Sequence, residues 1–348
     1  MQAVNSILLI EQYGLGDGIL STAALELLRR DFPQSRKVSF GNRVIAELRQ
    51  DCTLVEKVLT EFPEGETFDL AVDLTGKFRT ARWARRSGAT IRVGTPWWPS
   101  RRWAGRFYTH QVSQPEHGHV LDHKLELARA AAWACGLTSR RYTERRTKIW
   151  LSEAAHEFAR AWLAERDLLT AERLVAMHCG GASRGRSWRA GRFAQVCRNL
   201  HERHAAQILL VGGSEELRIA LEVARLAGGD PWVVAGQTSI GQLGALMARC
   251  RLFIGGDSGP MHLATAVGLP VVAIFGRSDP TWSGPWGEGH LIVRAELDCS
   301  PCRGMPHHRW WQRCRTYRCL DQISTDQVTA AVERMLASTA TPVLAGKR

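Results

Sequence analysis

The stretch that most constrains the fold is LFIGGDSGPMHLATAVGLPVVAIFG, at residues 252–276. An apolar strand over 252–254 leads into a glycine-rich turn at 255–259, and a helix follows over 262–267. The run from Val271 to Phe275 is apolar at every position, which is typical of a strand buried on both faces of a parallel sheet. The pattern predicts a strand–turn–helix–strand unit and therefore an α/β, doubly wound fold.

The turn of this unit is suited to binding phosphate. Pro260 fits the first turn of a helix, where a missing N–H leaves no bond unmade. The N–H groups of Ser258 and Gly259 would lie at a helix N-terminus, where the helix dipole and small side chains favour a diphosphate. The same residues are equally consistent with a turn in which Asp257 or Ser258 only caps the helix.

A similar unit opens the chain and indicates a second domain. Residues 7–10 predict a strand, 14–18 a turn and 19–30 a helix, although the G-x-G-x-x-G spacing of dinucleotide sites is incomplete. A chain of 348 residues is long enough for two separate cores. We predict domains over 1–150 and 151–323, followed by a helix and tail over 324–348.

The charge balance favours anionic partners. Lys and Arg number 46 against 34 Asp and Glu, a formal charge of +12. Much of the excess is arginine at 79–107 and 140–146, which suits phosphates, anionic sugars, anionic lipid or nucleic acid. Since no helix-turn-helix, zinc-finger or RNA-binding signature accompanies these arginines, we do not expect a nucleic-acid partner. A GC-rich genome would also enrich arginine.

Within this basic region the segment TGKFRTARWARR follows a clear strand, at the edge where α/β proteins bind ligands. Lys77, Arg79 and Arg82 are the candidates for binding an anionic acceptor, and an exposed basic helix without a ligand is the alternative. The Trp- and Arg-rich loop 96–110 is compatible with membrane contact, stacking on sugar rings, covering the acceptor, or packing on its own domain.

The sequence predicts no membrane span, because no run of eighteen apolar residues occurs. The N-terminus lacks the basic region and cleavage site of a signal peptide. We expect a cytoplasmic protein, with peripheral contact to the inner membrane compatible with the basic surface.

Four of the nine cysteines are clustered, at Cys299, Cys302, Cys314 and Cys319. A reducing compartment disfavours disulfides, and four thiolates suit a structural zinc or iron ion. The last two do not form a C-x2-C pair, so separate thiols remain the alternative.

The string GGDSGPMHLATAVGLPVVAIFGRSDP resembles the donor-binding segment of the heptosyltransferases of glycosyltransferase family nine. That family has the pattern D-[ST]-G-x-x-H-L-x-A-A-x-x-x-P, followed by an aromatic residue and glycine. The matching positions are Asp257, Ser258, Gly259, His262, Leu263, Ala266, Pro270, Phe275 and Gly276. The resemblance covers nearly the whole chain and is poor through 96–118. It implies the GT-B architecture: two Rossmann-like domains face each other across a cleft, the first binds acceptor, the second binds donor, and the last helix packs back on the first.

The resemblance also assigns a catalytic base. The string GLGDGILSTAALELLRRDFP resembles the family's opening motif, in which the base maps onto Asp17. Gly18 stands where a branched apolar residue is usual and would loosen the start of the helix; Ala23 replaces a common proline. From the residues alone, a helix N-cap is the favoured interpretation of Asp17; the resemblance favours the base, and the two roles do not exclude each other.

Further site residues follow from the resemblance. Arg186 occupies the place of a lysine that contacts the donor phosphates, and arginine keeps the charge with a different geometry. The loop around Ser183 offers backbone donors, Glu215 or Glu216 lies near the ribose, and Thr238 lies in the loop by the adenine. Asp257 or His262 contacts sugar or phosphate. His119, which leads the helix after the acceptor loop, contacts the acceptor.

The implied activity is inverting transfer of heptose from an ADP-heptose donor to a hydroxyl of a lipopolysaccharide core or related glycan. No D-x-D cluster is present, in agreement with catalysis without a metal ion or other cofactor. Three alternatives remain: a GT-B transferase with another nucleotide sugar or a protein acceptor, a GT-B-like sugar-nucleotide epimerase, and a non-catalytic protein that binds nucleotides or nucleic acid.

Overall fold

The computed structural model describes residues 4–97, 101–113, 115, 117–138, 145–181, 187–228, 231–302, 314 and 316–338. The chain divides into two compact units, Met1–Trp150 and Leu151–Arg348. The predicted site residues Ser183 and Arg186 lie outside the described residues, as do parts of the loop 96–110 and the tail after residue 338.

In the first unit, the described residues form one parallel sheet with helices between its strands. Its strands are β1 (Ser6–Glu11), β2 (Arg36–Gly41), β3 (Lys57–Leu59), β4 (Leu70–Asp73), β5 (Ile91–Gly94) and β6 (His110–Gln111). Its helices are α1 (Leu15–Leu20), α2 (Thr22–Asp31), α3 (Arg43–Arg49), α4 (Phe78–Arg86), α5 (Arg101–Ala104) and α6 (Val120–Ala134), with a 3-10 turn at Gly105–Phe107.

The second unit repeats this plan. Its strands are β7 (Leu174–His178), β8 (Gln207–Leu210), β9 (Trp232–Val233), β10 (Leu252–Gly256), β11 (Val271–Phe275) and β12 (Leu291–Arg294). Its helices are α7 (Glu153–Ala164), α8 (Ala190–His204), α9 (Leu217–Ala227), α10 (Ile240–Met247), α11 (Gly259–Ala266), α12 (Pro280–Ser283), α13 (Arg318–Asp321) and α14 (Thr325–Ser338), with a 3-10 turn at Ser214–Glu216.

Both sheets have the same strand order. The first is β3-β2-β1-β4-β5-β6, and the second is β12-β11-β10-β7-β8-β9. All of these pairings are parallel. This is the Rossmann order, in which ligands bind at the carboxyl ends of the strands where the winding reverses, here between β1 and β4 and between β7 and β10. The prediction of an α/β fold with two doubly wound, Rossmann-like units is confirmed.

The apolar strands explain why the sheets form the centre of each unit. Ile7, Leu8, Leu9 and Ile10 of β1 are all fully buried. In the second unit Val271–Phe275 is buried at every position, as the sequence predicted for a central parallel strand. Since side chains alternate between faces, burial on both requires helices on each side of the sheet.

The C-terminal helix α14 packs on the second unit. Its buried residues Val328, Ala331 and Val332 belong to the hydrophobic core of that unit. Asn199 of α8 also donates a side-chain hydrogen bond to Thr329, at 3.2 Å. The apolar stripe of α14 thus completes the cover over the second sheet.

Among the described residues, no helix combines the length and apolar character needed to cross a bilayer.

Candidate active site

Asp17 lies where the first sheet would bind a ligand. Strand β1 ends at Glu11, and helix α1 begins at Leu15 with Gly14 as its N-cap. Asp17 is therefore in the first turn, and the alternative in which it serves as the N-cap is wrong. Its side chain is 48% exposed, so the carboxylate is accessible to a substrate.

A buried lysine from helix α6 approaches this carboxylate. Lys124 Nζ lies 3.7 Å from Asp17 Oδ1, and the lysine side chain is only 6% exposed. The ammonium also donates to the carbonyl oxygen of Leu74 at 2.6 Å and lies 4.4 Å from the centre of the Tyr13 ring. Lys124 was not among the site residues predicted from the sequence. One signal was available in the sequence: Lys124 falls among the apolar positions of α6 that are expected to face the core.

Beneath α1 lies a buried ion pair that sequence reasoning also missed. Arg49 Nη2 donates to Glu11 Oε1 at 2.7 Å and to the carbonyl oxygen of Gly18 at 2.7 Å, and both charged side chains are fully buried. Burial raises the pKa of Glu11, but the charge and hydrogen bonds of Arg49, with bonds from Tyr13 and Ser39, lower this pKa below its ordinary value. The pair fixes the backbone of α1 to helix α3.

Gly18 packs closely rather than loosening the helix. A Cβ atom at this position would lie 2.7 Å from both Ile45 Cδ1 and Leu48 Cδ2 of helix α3. Its carbonyl oxygen is held by Arg49. The expectation of a looser helix start is therefore wrong, because the missing side chain allows α1 and α3 to approach.

The basic helix α4 begins from a second ordered turn. Asp73, at the end of β4, accepts hydrogen bonds from the N–H groups of Thr75 and Gly76 at 2.9 and 3.0 Å. The Tyr108 hydroxyl donates to its other oxygen at 2.6 Å. Burial raises the pKa of Asp73 despite these bonds. The turn positions Lys77 as the N-cap of α4.

The candidate acceptor residues fall into two groups. Lys77, Arg79 and Arg82 are exposed on α4, and the Arg79 guanidinium lies 4.8 Å from the centre of the Trp83 ring. His119 instead is 9% exposed and caps helix α6, with Nδ1 accepting from the N–H of Leu121 at 3.1 Å. The three cations are available to an anion, whereas the histidine has a structural contact.

In the second unit, the predicted phosphate turn joins β10 to α11. Ser258 is the N-cap residue of α11 and its side chain makes no capping bond, while Pro260 occupies the first turn. Asp257 and His262 are buried, at 7% and 4% exposure. Because the hydroxyl of Ser258 does not cap the helix, the N–H groups of the first turn are not satisfied by this side chain.

Three buried polar atoms near the carboxyl edge of this sheet have no hydrogen-bond partner among the described residues: His178 Nδ1, Thr238 Oγ1 and Ser258 Oγ. His178 ends β7 and lies opposite Gly255 of β10. Burial lowers the pKa of His178 to about 4, so its imidazole is neutral at pH 7. Buried polar groups are rarely unsatisfied in folded proteins, and a bound polar ligand would satisfy these.

The two glutamates after β8 differ in environment. Glu216 accepts from the N–H of Gly213 at 2.8 Å, and a Cβ atom placed on Gly180 would lie 2.3 Å from Glu216 Cγ. Glu215 is exposed. Glu216 is therefore the one in contact with the segment after β7, close to where His178 ends that strand.

The far end of the loop that contains Ser183 and Arg186 is anchored firmly. Trp188 is buried and donates from Nε1 to the carbonyl oxygen of Ile323 at 3.2 Å. Arg189 Nε donates to Asp321 Oδ1 at 2.9 Å. The loop thus ends on the segment that immediately follows Cys319.

The four clustered cysteines lie close enough together to affect one another electrostatically. Burial and the neighbouring thiols of the cluster raise the pKa of Cys302 and of Cys319. Backbone N–H groups, led by that of Tyr317, lower the pKa of Cys314. Four thiols are the donor set that zinc or iron prefers. Within the described part of the chain, however, no three ligating side chains are arranged to hold a metal ion.

Comparison with known proteins identifies the family of the chain. The family model for glycosyltransferase family 9 (heptosyltransferase) matches residues 64–309. The chain is 33% identical to lipopolysaccharide heptosyltransferase 3 of Escherichia coli over 156 residues, which is 44% of this chain and 44% of that protein. The match therefore spans less than half of this relative's length.

Solved structures resemble the chain over nearly its whole length. The glycosyltransferase family 9 protein of Veillonella parvula has a TM-score of 0.80 at 22% identity and covers 97% of this chain and 99% of its own. The ADP-heptose lipopolysaccharide heptosyltransferase II of E. coli has a TM-score of 0.76 at 18% identity and covers 97% of this chain and 100% of its own. The iron-containing heptosyltransferase TibC, solved with ADP-D-β-D-heptose, has a TM-score of 0.57 at 13% identity and covers 99% of this chain and 80% of its own. At these identities the likeness shows the fold.

Proposed function

The chain belongs to glycosyltransferase family 9, the heptosyltransferases, and on this basis we propose that it transfers heptose from ADP-heptose to a hydroxyl of a lipopolysaccharide core or related glycan. The relatives and neighbours named as lipopolysaccharide or ADP-heptose enzymes support this substrate class. In this proposal the first unit binds the acceptor and the second unit binds the donor.

The observation that carries the proposal is the environment of Asp17. A half-exposed carboxylate follows the central strand at the reversal point of the first sheet, beside a buried ammonium group. A general base must lie within hydrogen-bond reach of the hydroxyl group from which it takes the proton. An exposed carboxylate at the carboxyl ends of the strands, where α/β proteins bind ligands, meets that requirement.

In the proposed reaction Asp17 takes the proton from the acceptor hydroxyl while the hydroxyl oxygen attacks the anomeric carbon. The bond from that carbon to the diphosphate breaks in the same displacement, so the configuration inverts. The N–H groups of Ser258 and Gly259, together with Arg186, stabilise the charge that develops on the departing ADP. Asp257 and His262 contact the sugar or the phosphates. This set needs no divalent ion, and we propose catalysis without one.

The remaining donor contacts follow from the polar groups near the second sheet's edge. We assign the nucleoside to the side chains of Thr238 and the glutamates at 215 and 216, and we add His178 to this set. A neutral imidazole can accept a hydrogen bond from a ribose hydroxyl or an adenine amine. Loop residue Ser183 would supply backbone donors to the phosphates.

Acceptor binding is assigned to the cations of helix α4. Lys77, Arg79 and Arg82 suit the phosphates and carboxylates of an anionic glycan, and arginine binds such groups bidentately. His119, as the cap of α6, would act on the acceptor through the position of that helix.

We further propose that the protein works in the cytoplasm as a peripheral partner of the inner membrane. Residues 74–115 contain nine Lys and Arg residues and no Asp or Glu. Trp103 and Phe78 are 58% and 42% exposed among these cations. Cosedimentation with vesicles tests this: Trp103→Ala should weaken binding to anionic vesicles, while Trp133→Ala, an exposed tryptophan on α6, should not. Equal binding by all three proteins would contradict the proposal.

A structural zinc or iron ion at the four cysteines is also proposed, with no part in the chemistry. Metal analysis of the purified protein, with Cys302→Ser and the scattered Cys135→Ser as a matched pair, tests it. One equivalent of metal that only Cys302→Ser loses would support the site, and metal-free wild-type protein would exclude it.

The function is tested by calorimetric titration with ADP, UDP, GDP and dTDP in the presence of EDTA. We expect selective ADP binding that Arg186→Ala weakens. Transfer from ADP-heptose to heptose-deficient lipopolysaccharide core is then followed by release of ADP, and NMR of the product reports the anomeric configuration. Preference for another base would exclude ADP-heptose, and no nucleotide binding would exclude the transferase function.

A further inference from the structure

Helix α6 carries a cation into the site of the proposed base. Lys124 lies on the buried side of this helix. Leu121, Leu125 and Ala128 of the same helix are buried in the first unit. Its side chain emerges beside Asp17, with the Nζ–Oδ1 distance at 3.7 Å. A lysine is almost never buried to this degree unless its charge has partners, so its position requires an explanation.

The contacts of the ammonium hold it in one place. One contact is the 2.6 Å hydrogen bond to the carbonyl oxygen of Leu74, at the end of β4. Another is the face of the Tyr13 ring, at 4.4 Å. The Tyr13 hydroxyl in turn donates to Glu11 at 2.7 Å, and Glu11 pairs with Arg49. The ammonium is therefore fixed between the ends of β1 and β4, and Asp17 is the partner that faces the solvent.

We propose that Lys124 is a positioning residue for Asp17: it holds Oδ1 of the carboxylate, so that Oδ2 receives the proton of the acceptor hydroxyl. This inference rests on the proposed function. An exposed carboxylate on a flexible side chain samples several rotamers, and one fixed opposite charge selects among them. Lys124 does not bind the acceptor, because its side chain is buried and its donors are directed at groups of the protein.

A change in the orientation of a reacting group lowers turnover rather than substrate binding. Lys124→Met keeps the length of the side chain and removes the charge. We expect kcat to fall about 10- to 100-fold, with the KM for acceptor and the affinity for ADP within about twofold of wild type. The matched control is Lys148→Met, which removes an exposed lysine of the same unit that pairs with Glu26; its kcat should be unchanged.

Chemical rescue distinguishes positioning from a general structural effect. Lys124→Ala leaves a space for a small amine, and ethylammonium should restore part of the lost kcat, while tetramethylammonium at the same ionic strength should not. Lys124→Gln, which retains a donor towards Leu74, serves as the variant without charge if Lys124→Met does not fold. We expect it to show the same loss of kcat.

The outcomes separate this inference from the proposed function. Wild-type kcat in Lys124→Met or Lys124→Gln would overturn the inference, while the function would stand. A loss confined to the KM for acceptor would also overturn it and would make Lys124 a binding residue. Wild-type protein that transfers no heptose and binds no ADP would instead contradict the proposed function.

Discussion

Replacing Glu11 by glutamine should destabilise the first unit severely, although the two side chains are nearly the same size. Both carboxylate oxygens of Glu11 act as acceptors. They accept hydrogen bonds from the side chains of Tyr13, Ser21, Ser39 and Arg49. An amide replaces one acceptor oxygen by an NH2 group, which would face these donors. The substitution also leaves Arg49 charged, fully buried and without its counter-ion.

The structure sets the size of the effect. Breaking a buried ion pair by removing one partner costs about 3–5 kcal/mol, because the remaining charge stays desolvated. Arg49 keeps its bonds to the carbonyl oxygen of Gly18 and to Ser21, which places Glu11→Gln near the lower end, at about 3 kcal/mol. Glu64→Gln is the matched control: its partner Arg86 is exposed, and removing an exposed pair should change stability little.

Urea unfolding, with hydrogen exchange at β1 to identify the unit that opens, measures this loss. The pH dependence provides a second check. The pKa of Glu11 in the folded protein is below its ordinary value of 4.5, so the ion pair contributes fully above that value, and its contribution is lost as pH falls through the folded pKa. Glu11→Gln should lack this component. A loss no larger than that of Glu64→Gln would refute the reasoning.

Two further predictions concern the proposed sites. Asp17→Asn should reduce transfer by about 10²- to 10⁴-fold, the usual contribution of a general base, while calorimetry should find ADP affinity unchanged; wild-type turnover would contradict the role. Thr238→Val removes a buried hydroxyl that has no hydrogen-bond partner among the described residues. The free protein should be as stable as wild type or more so in thermal unfolding, and ADP should bind about 3- to 10-fold more weakly, as expected for one lost hydrogen bond; unchanged affinity would place the nucleotide elsewhere.

The sequence predicted the elements well where local pattern determines them. Residues 252–276 combine fully apolar strands with glycine and proline at the turns, and the structure has β10, α11 and β11 there. The order of the strands depends on contacts between distant segments, and it was not predicted from the sequence.

The polar interior could not be predicted in the same way. Glu11 and Arg49 are 38 residues apart in the sequence. Each lies at the end of a strand or helix, where the local sequence predicts an exposed charge. Lys124 and Asp17 meet only because α6 packs against α2 and the adjoining α1. Charged residues are usually exposed, so a single sequence gives no reason to bury these until the tertiary contacts are known.

The unpartnered polar atoms near the edge of the second sheet have a measurable consequence. In the first unit, Glu11 pairs with Arg49 and Lys124 with Asp17. In the second unit His178 Nδ1 and Thr238 Oγ1 have no partner among the described residues. A nucleotide that satisfies them should stabilise the second unit, by about 2.7 kcal/mol at a concentration of 100 Kd. Hydrogen exchange with saturating ADP should therefore slow in β7 and β10 and stay unchanged in β1 and β4. Equal protection of all four strands would contradict the assignment of the nucleotide to the second sheet.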